Sequence, residues 1–439
     1  MSVAAGSFDP AASPRRRAVA PARHPLVTID TPGERFRLMI LWMTLLGSAL
    51  VIAEPSPYEV GVLIAVIVFM SSGSILLRPV HMPLAFILVV YCLGLSISSV
   101  AVLWQKKVLT WTLVSWYLAV TAIFFAAIVT ENTERRINAI MRGWTAAALL
   151  AGLCGIIGYF RLVPGAFDLF TLYGRAKGTF NDPNVLAPFL IAPMLVAIQV
   201  FFSGSFKAMA KASVVLAVTL CAMLLTFSRG GWMHLALSGA VMVFLLFVTS
   251  QSSRERLRII ILVMVAVLLF ATLIGVLLSV DSVATLMRER ANLSQSYDSG
   301  PMGRFGRHIF GWQLALEEPL GIGPLQFASR FTEDTHNAYL NSFMAGGWIS
   351  GVTYPAIVAM TTIVGLINCF QRTPWQKTSI TLFSAFFGLA VLGFIIDSEH
   401  WRHFWVLMGL IFGLGLANRL ALSNPIHAPG HLAVRRERA

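Results

Sequence analysis

In the stretch DTHNAYLNSFMAGGW, Asp334 to Trp348, a histidine and an asparagine stand at the entrance to a long apolar segment. Histidine titrates close to neutrality, so His336 can take the proton of an attacking hydroxyl as a general base. His308 and His400 are rivals for that work, and a plain capping role for His336 is the bland alternative. Cations recur in other short polar motifs: Arg175 and Lys177 in YGRAKGTFNDPN, Arg229 in FSRGGW, Arg304 and Arg307 in GRFGRHIFGWQ, and Arg402 after Asp397 in DSEHWRH. A planar guanidinium grips phosphate oxygens bidentately and keeps its charge at a membrane surface. A base and several guanidiniums suit a transfer in which a hydroxyl attacks and a phosphate departs, the growing negative charge being met by fixed cations. Taken singly, the same cations read as lipid anchors, and Asp397, Glu399 and Arg402 as a local ion pair.

The elements that must position these residues are membrane helices. Hydrophobic residues make up 57% of the 439 and charged residues 12%, with a mean hydropathy of +0.75, more apolar surface than one globular core buries. Apolar runs of spanning length recur, about twelve in all, from Leu38–Ala53 to His403–Leu422. The expected fold is therefore all-α and polytopic. Residues 1–37 read as a disordered cytoplasmic tail, 38–422 as the transmembrane domain and 423–439 as a second cytoplasmic tail. With Arg15, Arg16 and Arg17 inside, most of the 33 Lys and Arg fall on the cytoplasmic side, so the net charge of +13 is a topology signal and not a nucleic-acid footprint. Cys92, Cys154, Cys221 and Cys369 sit singly in or at the end of apolar runs, which implies neither disulfides nor a zinc site.

Under this topology two outer connections are long, 161–184 and 281–346, and the unusual chemistry collects on that side. In the second, Phe305, Ile309, Trp312 and Leu316 follow a helical period, while Arg304, Arg307 and His308 share another face and Pro319 and Gly321 end the pattern. An amphipathic helix resting on the bilayer is expected there. The motif cations and His336 come from separate connections on one side, which points to a shared anionic ligand. No clustered outer carboxylates suggest a metal site, so none is expected.

A transfer outside the cytoplasm has no ATP, so its donor must arrive activated, and a polyprenyl-diphosphate sugar is such a donor. At this point the chain resembles the O-antigen ligase family, whose relatives include O-antigen polymerases and protein O-oligosaccharyltransferases. The resemblance runs from about Asp168 to Leu422 through GRAKGTFNDPNVLAPFL, FSRGGW, GRFGRHIFGWQLALEEPLGIGPLQF, THNAYLNSFMAGGWISG and DSEHWRHFWVLMGL. It implies a metal-independent, cofactor-free glycosyltransferase of the bacterial inner membrane. Such an enzyme moves a glycan from undecaprenyl diphosphate to the lipid A-core on the periplasmic face. It further implies that Arg175, Arg229 and Arg304 bind the diphosphate and that His336 activates the acceptor. Lys177, Arg307, Asn337, Asp397 and Arg402 complete the expected substrate-binding set. Relatives often carry an acidic residue where this chain has Ala345 or Gly346.

The rival readings are a polymerase, a protein-glycosylating enzyme and a transporter of the same lipid-linked glycan. A transporter needs no base and typically shows inverted repeats and midplane polar groups, neither of which is visible here.

Overall fold

The computed structural model describes residues 29–51, 55–75, 77–281, 284–285, 303–331 and 333–423. Residues 1–28 and 424–439 of the expected tails therefore lie outside the described residues, as does much of the first part of the 281–346 connection, while Pro32 to Arg37, expected in the disordered tail, are helical because Thr31 caps them. Helices begin where the sequence supplies caps. Thr31 accepts from the Glu34 amide and starts α1, Pro32–Gly47. Ser56 and Glu59 form a capping box at the head of α2, Pro57–Ser71. The other membrane helices are α3 (Met82–Ser99), α4 (Lys106–Ile128), α5 (Thr133–Tyr159), α7 (Pro183–Ser203), α8 (Phe206–Leu225), α9 (Arg229–Thr249) and α10 (Ser253–Leu278). After them come α13 (Ala338–Phe370), α14 (Gln376–Leu392) and α15 (Arg402–Leu422). Between these lie the short α6 (Ala166–Phe170), α11 (Arg304–Glu317) and α12 (Phe327–Phe331).

Among the described residues, nine helices are long and apolar enough to cross a membrane, and α2 and α14 are shorter apolar helices. The chain is thus an all-α polytopic protein, and α1 at 16 residues occupies the remaining apolar run. Successive helices reverse, so their connections alternate between two ends of a bundle. All the motifs singled out above fall at one of these ends.

The opposite end is fastened by a charge buried at the foot of α1. Arg136 and Glu34 both have fully buried side chains, and the guanidinium meets the carboxylate at 2.8 and 3.0 Å while also donating to the Ile128 carbonyl at 2.7 Å. Asn132, held at φ 47°, donates to the same carboxylate at 2.9 Å. Arg37 also meets this carboxylate at 2.8 Å, so loss of Arg136 leaves Glu34 one cation, whereas loss of Glu34 strands the buried guanidinium. Glu34→Ala is expected to lower stability by roughly 3–5 kcal/mol, measured as denaturation of the detergent-solubilised protein.

Two irregularities shape the site end. In the 161–184 connection, Thr171–Leu172 and Arg175–Ala176 pair antiparallel as β1 and β2, with Tyr173 and Gly174 at φ 49° and 69° making a primed hairpin turn. In α13 the helix is broken at Gly346 and Gly347, the latter at φ 62° and ψ −162°. The segment before α12 fills that break: Ile322 donates to the Met344 carbonyl at 2.9 Å, and Trp348 donates to that of Pro319 at 2.9 Å. The expected span started at Gly347, and the helical stub Ala338–Ala345 ahead of it carries the histidine motif.

Candidate active site

His336 stands at φ 50°, a left-handed conformation that a residue with a Cβ adopts only when its surroundings enforce it. The enforcement comes from Asp397, in the connection between α14 and α15. One carboxylate oxygen of Asp397 accepts from the His336 amide at 3.1 Å; the other accepts from the Asn337 amide at 2.9 Å and the Thr335 hydroxyl at 3.2 Å. Asn337 then caps α13, its side-chain oxygen accepting from the Tyr339 and Leu340 amides at 3.1 and 3.0 Å. The Ala338 amide donates to the Gly393 carbonyl at 2.8 Å, tying the stub to the end of α14.

The imidazole is presented by this turn. Its Nδ1 lies 3.6 Å from Asp397 and its Nε2 lies 3.8 Å from Glu333, with 36% of the side chain exposed. Glu333 is itself held by Arg307, at 2.8 Å from a guanidinium that is only 4% exposed. Arg307 sits on the buried face of α11 with Gly311, Leu314 and Ala315. A Cβ at Gly311 would come 2.7 Å from the Leu340 side chain, so glycine is what allows α11 to lie against the stub. The opposite stripe, Phe305, Ile309, Trp312 and Leu316, is 52–69% exposed, as a helix lying on a bilayer requires. Arg304 opens α11 and is half-buried.

The rival histidines are committed elsewhere. His308 Nε2 is 2.9 Å from the Thr335 carbonyl, and burial pushes its pKa down against that bond. His400 stacks on Trp111 at 3.4 Å and reaches the Ser115 hydroxyl at 2.8 Å, and burial lowers its pKa to about 3. His336, on the turn held by Asp397, keeps a side chain 36% exposed.

Arg175, on β2, donates to the Thr226 carbonyl at 2.7 Å and the Asn184 side chain at 2.8 Å, bracing the FSRGGW turn against the head of α7. In that turn Phe227 stands at φ 48°, Ser228 caps the Gly231 amide at 3.2 Å, and half-buried Arg229 begins α9. Lys177 is half-buried in the same connection as Arg175, its amide donating to the Phe170 carbonyl at 2.9 Å. A Cβ at Gly230 would lie 2.9 Å from Leu392, the residue before Gly393, so the FSRGGW turn and the His336 turn meet across the end of α14.

Arg402 pairs with Glu59 in the first turn of α2. The local ion pair among Asp397, Glu399 and Arg402 is thereby replaced by a different allotment. Asp397 takes the backbone of the His336 turn, Arg402 takes Glu59, and Glu399 accepts from the Asn341 side chain at 2.5 Å. Glu399 is 3% exposed; burial first, then the neighbouring Asp397, pushes its pKa well above the usual carboxylate value. The pKa of Asp334, beside the histidine turn, is also raised, chiefly by burial.

Sequence reasoning missed Glu333, Thr335 and Glu59. Thr335 lay within a quoted motif, whereas nothing local marks Glu333 as the partner of Arg307. Arg402 lines a cavity of about 210 Å³ with His400, His403 and Tyr58, but the histidine turn is not among its lining residues. Of the two places, the exposed imidazole between carboxylates is the one equipped for proton transfer.

Residues 212–354 match the family model described as O-Antigen ligase. The match runs from α8 into α13 and takes in Arg229, Arg304, Arg307, His336 and Asn337, while Arg175, Lys177, Asp397 and Arg402 lie outside it. No curated protein matches the chain.

Proposed function

We propose that this member of the O-antigen ligase family, matched over residues 212–354, transfers a glycan from undecaprenyl diphosphate to the lipid A-core on the periplasmic face of the bacterial inner membrane. The observation that supports this most is the His336 turn, locked by Asp397 with its imidazole half-exposed. His336 takes the proton of an acceptor hydroxyl as that oxygen forms a bond to the anomeric carbon. The bond from that carbon to the diphosphate oxygen breaks, and the diphosphate leaves with the electron pair. Arg175, Arg229 and Arg304, with Lys177 nearby, meet its charge. Direct displacement inverts the anomeric configuration. Asp397 and Asn337 hold the turn, and Arg402 holds the connection behind it against α2.

Deletion of the gene followed by analysis of surface polysaccharide tests the reading. Loss of long-chain lipopolysaccharide with accumulation of full-length lipid-linked polymer is expected. Accumulation of single lipid-linked repeats instead would point to a polymerase.

Replacing Arg175, Arg229 or Arg304 with Ala is expected to weaken donor binding along with turnover, with Lys restoring only part because it cannot engage two oxygens at once. Equilibrium binding of the lipid-linked donor together with turnover checks this; normal values in all three Ala variants would leave these residues as lipid anchors. Because guanidiniums meet the charge in this mechanism, activity should persist in EDTA. An activity that falls to zero on chelation and returns with a divalent ion would contradict it.

A further inference from the structure

A carboxylate facing the base of a site built to bind a diphosphate needs a reason, since it repels the leaving group. Glu333 is such a carboxylate: its Oε2 lies 3.8 Å from His336 Nε2, and its side chain is 55% exposed. Arg307 touches the same oxygen at 2.8 Å from a buried position, which fixes the carboxylate and offsets its charge. At 3.8 Å the gap from Nε2 to Oε2 is too wide for a hydrogen bond, so each atom can take a donor of its own from a ligand. A carboxylate only accepts hydrogen bonds, and a general base must accept one at a bare ring nitrogen, so with Nε2 as that nitrogen the two atoms together call for two donors side by side. Adjacent hydroxyls of a sugar ring supply that pair.

We propose that Glu333 is an acceptor-binding residue: it receives the hydroxyl next to the attacking one, so that the acceptor is a sugar with a vicinal diol whose nucleophilic hydroxyl is aimed at His336. Arg307 is the positioning residue that holds Glu333 in place. The inference rests on the glycosyl-transfer reading of the same site and adds the acceptor's chemical class to it.

The test uses the full-length protein in detergent with lipid-linked donor, a core-terminal oligosaccharide as acceptor, and analogues of that oligosaccharide each lacking one hydroxyl. Glu333→Gln and Glu333→Ala are expected to raise the KM for acceptor about 10- to 100-fold, the scale of a lost hydrogen bond to a charged group, with the KM for donor unchanged. Glu333→Asp should recover part of the loss. One monodeoxy acceptor should carry a similar penalty with the parent enzyme and no further penalty with Glu333→Ala, because the interaction is already gone. An unchanged acceptor KM in the Ala variant, or a deoxy penalty equal in both enzymes, overturns the proposal. A fall in melting temperature with both KM values altered would instead make Glu333 a mere counter-ion for Arg307, which also overturns it. If the parent enzyme makes no product from these substrates while lipid-linked donor still binds, it is the transfer reading that fails.

Discussion

His336→Ala is expected to lower turnover by about 10²- to 10⁴-fold while leaving donor binding in place, the usual scale for loss of a general base. The expectation follows from how the residue is held. Its backbone is fixed at φ 50° by Asp397, so the ring projects from a turn that exists independently of the ring's own contacts. Alanine pays strain in that conformation, so part of its deficit could come from a relaxed turn. Asparagine is the necessary companion, because it tolerates the left-handed region and so keeps the turn while offering no base. The expected result is that His336→Asn melts like the parent protein and is as inactive as His336→Ala. Near-normal transfer by the Asn variant would end the general-base assignment and leave the residue a cap.

Asp397→Asn is expected to cost both stability and turnover, although it keeps the side chain's shape. Three donors converge on this carboxylate, at 2.9, 3.1 and 3.2 Å. A carboxamide offers one accepting oxygen, and its NH2 must then face an amide or a hydroxyl that is itself donating. The lost interaction is worth roughly 1.5–3 kcal/mol, which corresponds to about 10- to 150-fold in the population of the locked turn. Donor affinity should stay near that of the parent because the diphosphate-binding arginines are untouched. Thermal melting and steady-state kinetics on one preparation check this. A variant that melts lower but transfers at the parent rate would show that the turn needs no lock.

The apolar runs marked the membrane helices because burial in lipid demands the same residues whichever neighbours a helix has. Charged helix ends were hidden by that same criterion. Helix α1 begins at Pro32, well before its apolar run at Leu38, because Thr31 caps it and Glu34 finds Arg136 more than a hundred residues along the chain. Likewise α13 was read from Gly347, yet Asn337 caps it at Ala338 and the break lies in the middle. In the site, His336 and Asn337 were legible as a polar pair at a helix entrance. That Asp397 would reach them was not, since a side chain accepting backbone amides sixty residues away leaves no periodic trace. Arg402 was expected in the substrate-binding set, with a local ion pair as its bland alternative, and only packing shows that Glu59 on α2 pairs with it.

The interruption of α13 has a mechanical consequence. An unbroken helix would transmit tilt and stretch straight from the lipid-embedded shaft to its tip. Here the ladder between the shaft and the eight residues Ala338–Ala345 is interrupted at Gly346 and Gly347, and the Ile322 amide and the Pro319 carbonyl of a neighbouring stretch of chain complete the junction. Gly347 takes a backbone conformation that no α-helix passes through, so the tip does not simply continue the axis of the shaft. The tip is moored to Gly393 and Asp397 and stays with the surface connections. The histidine is thus fixed to the connections at its own end of the bundle and not to the shaft of the helix that follows it.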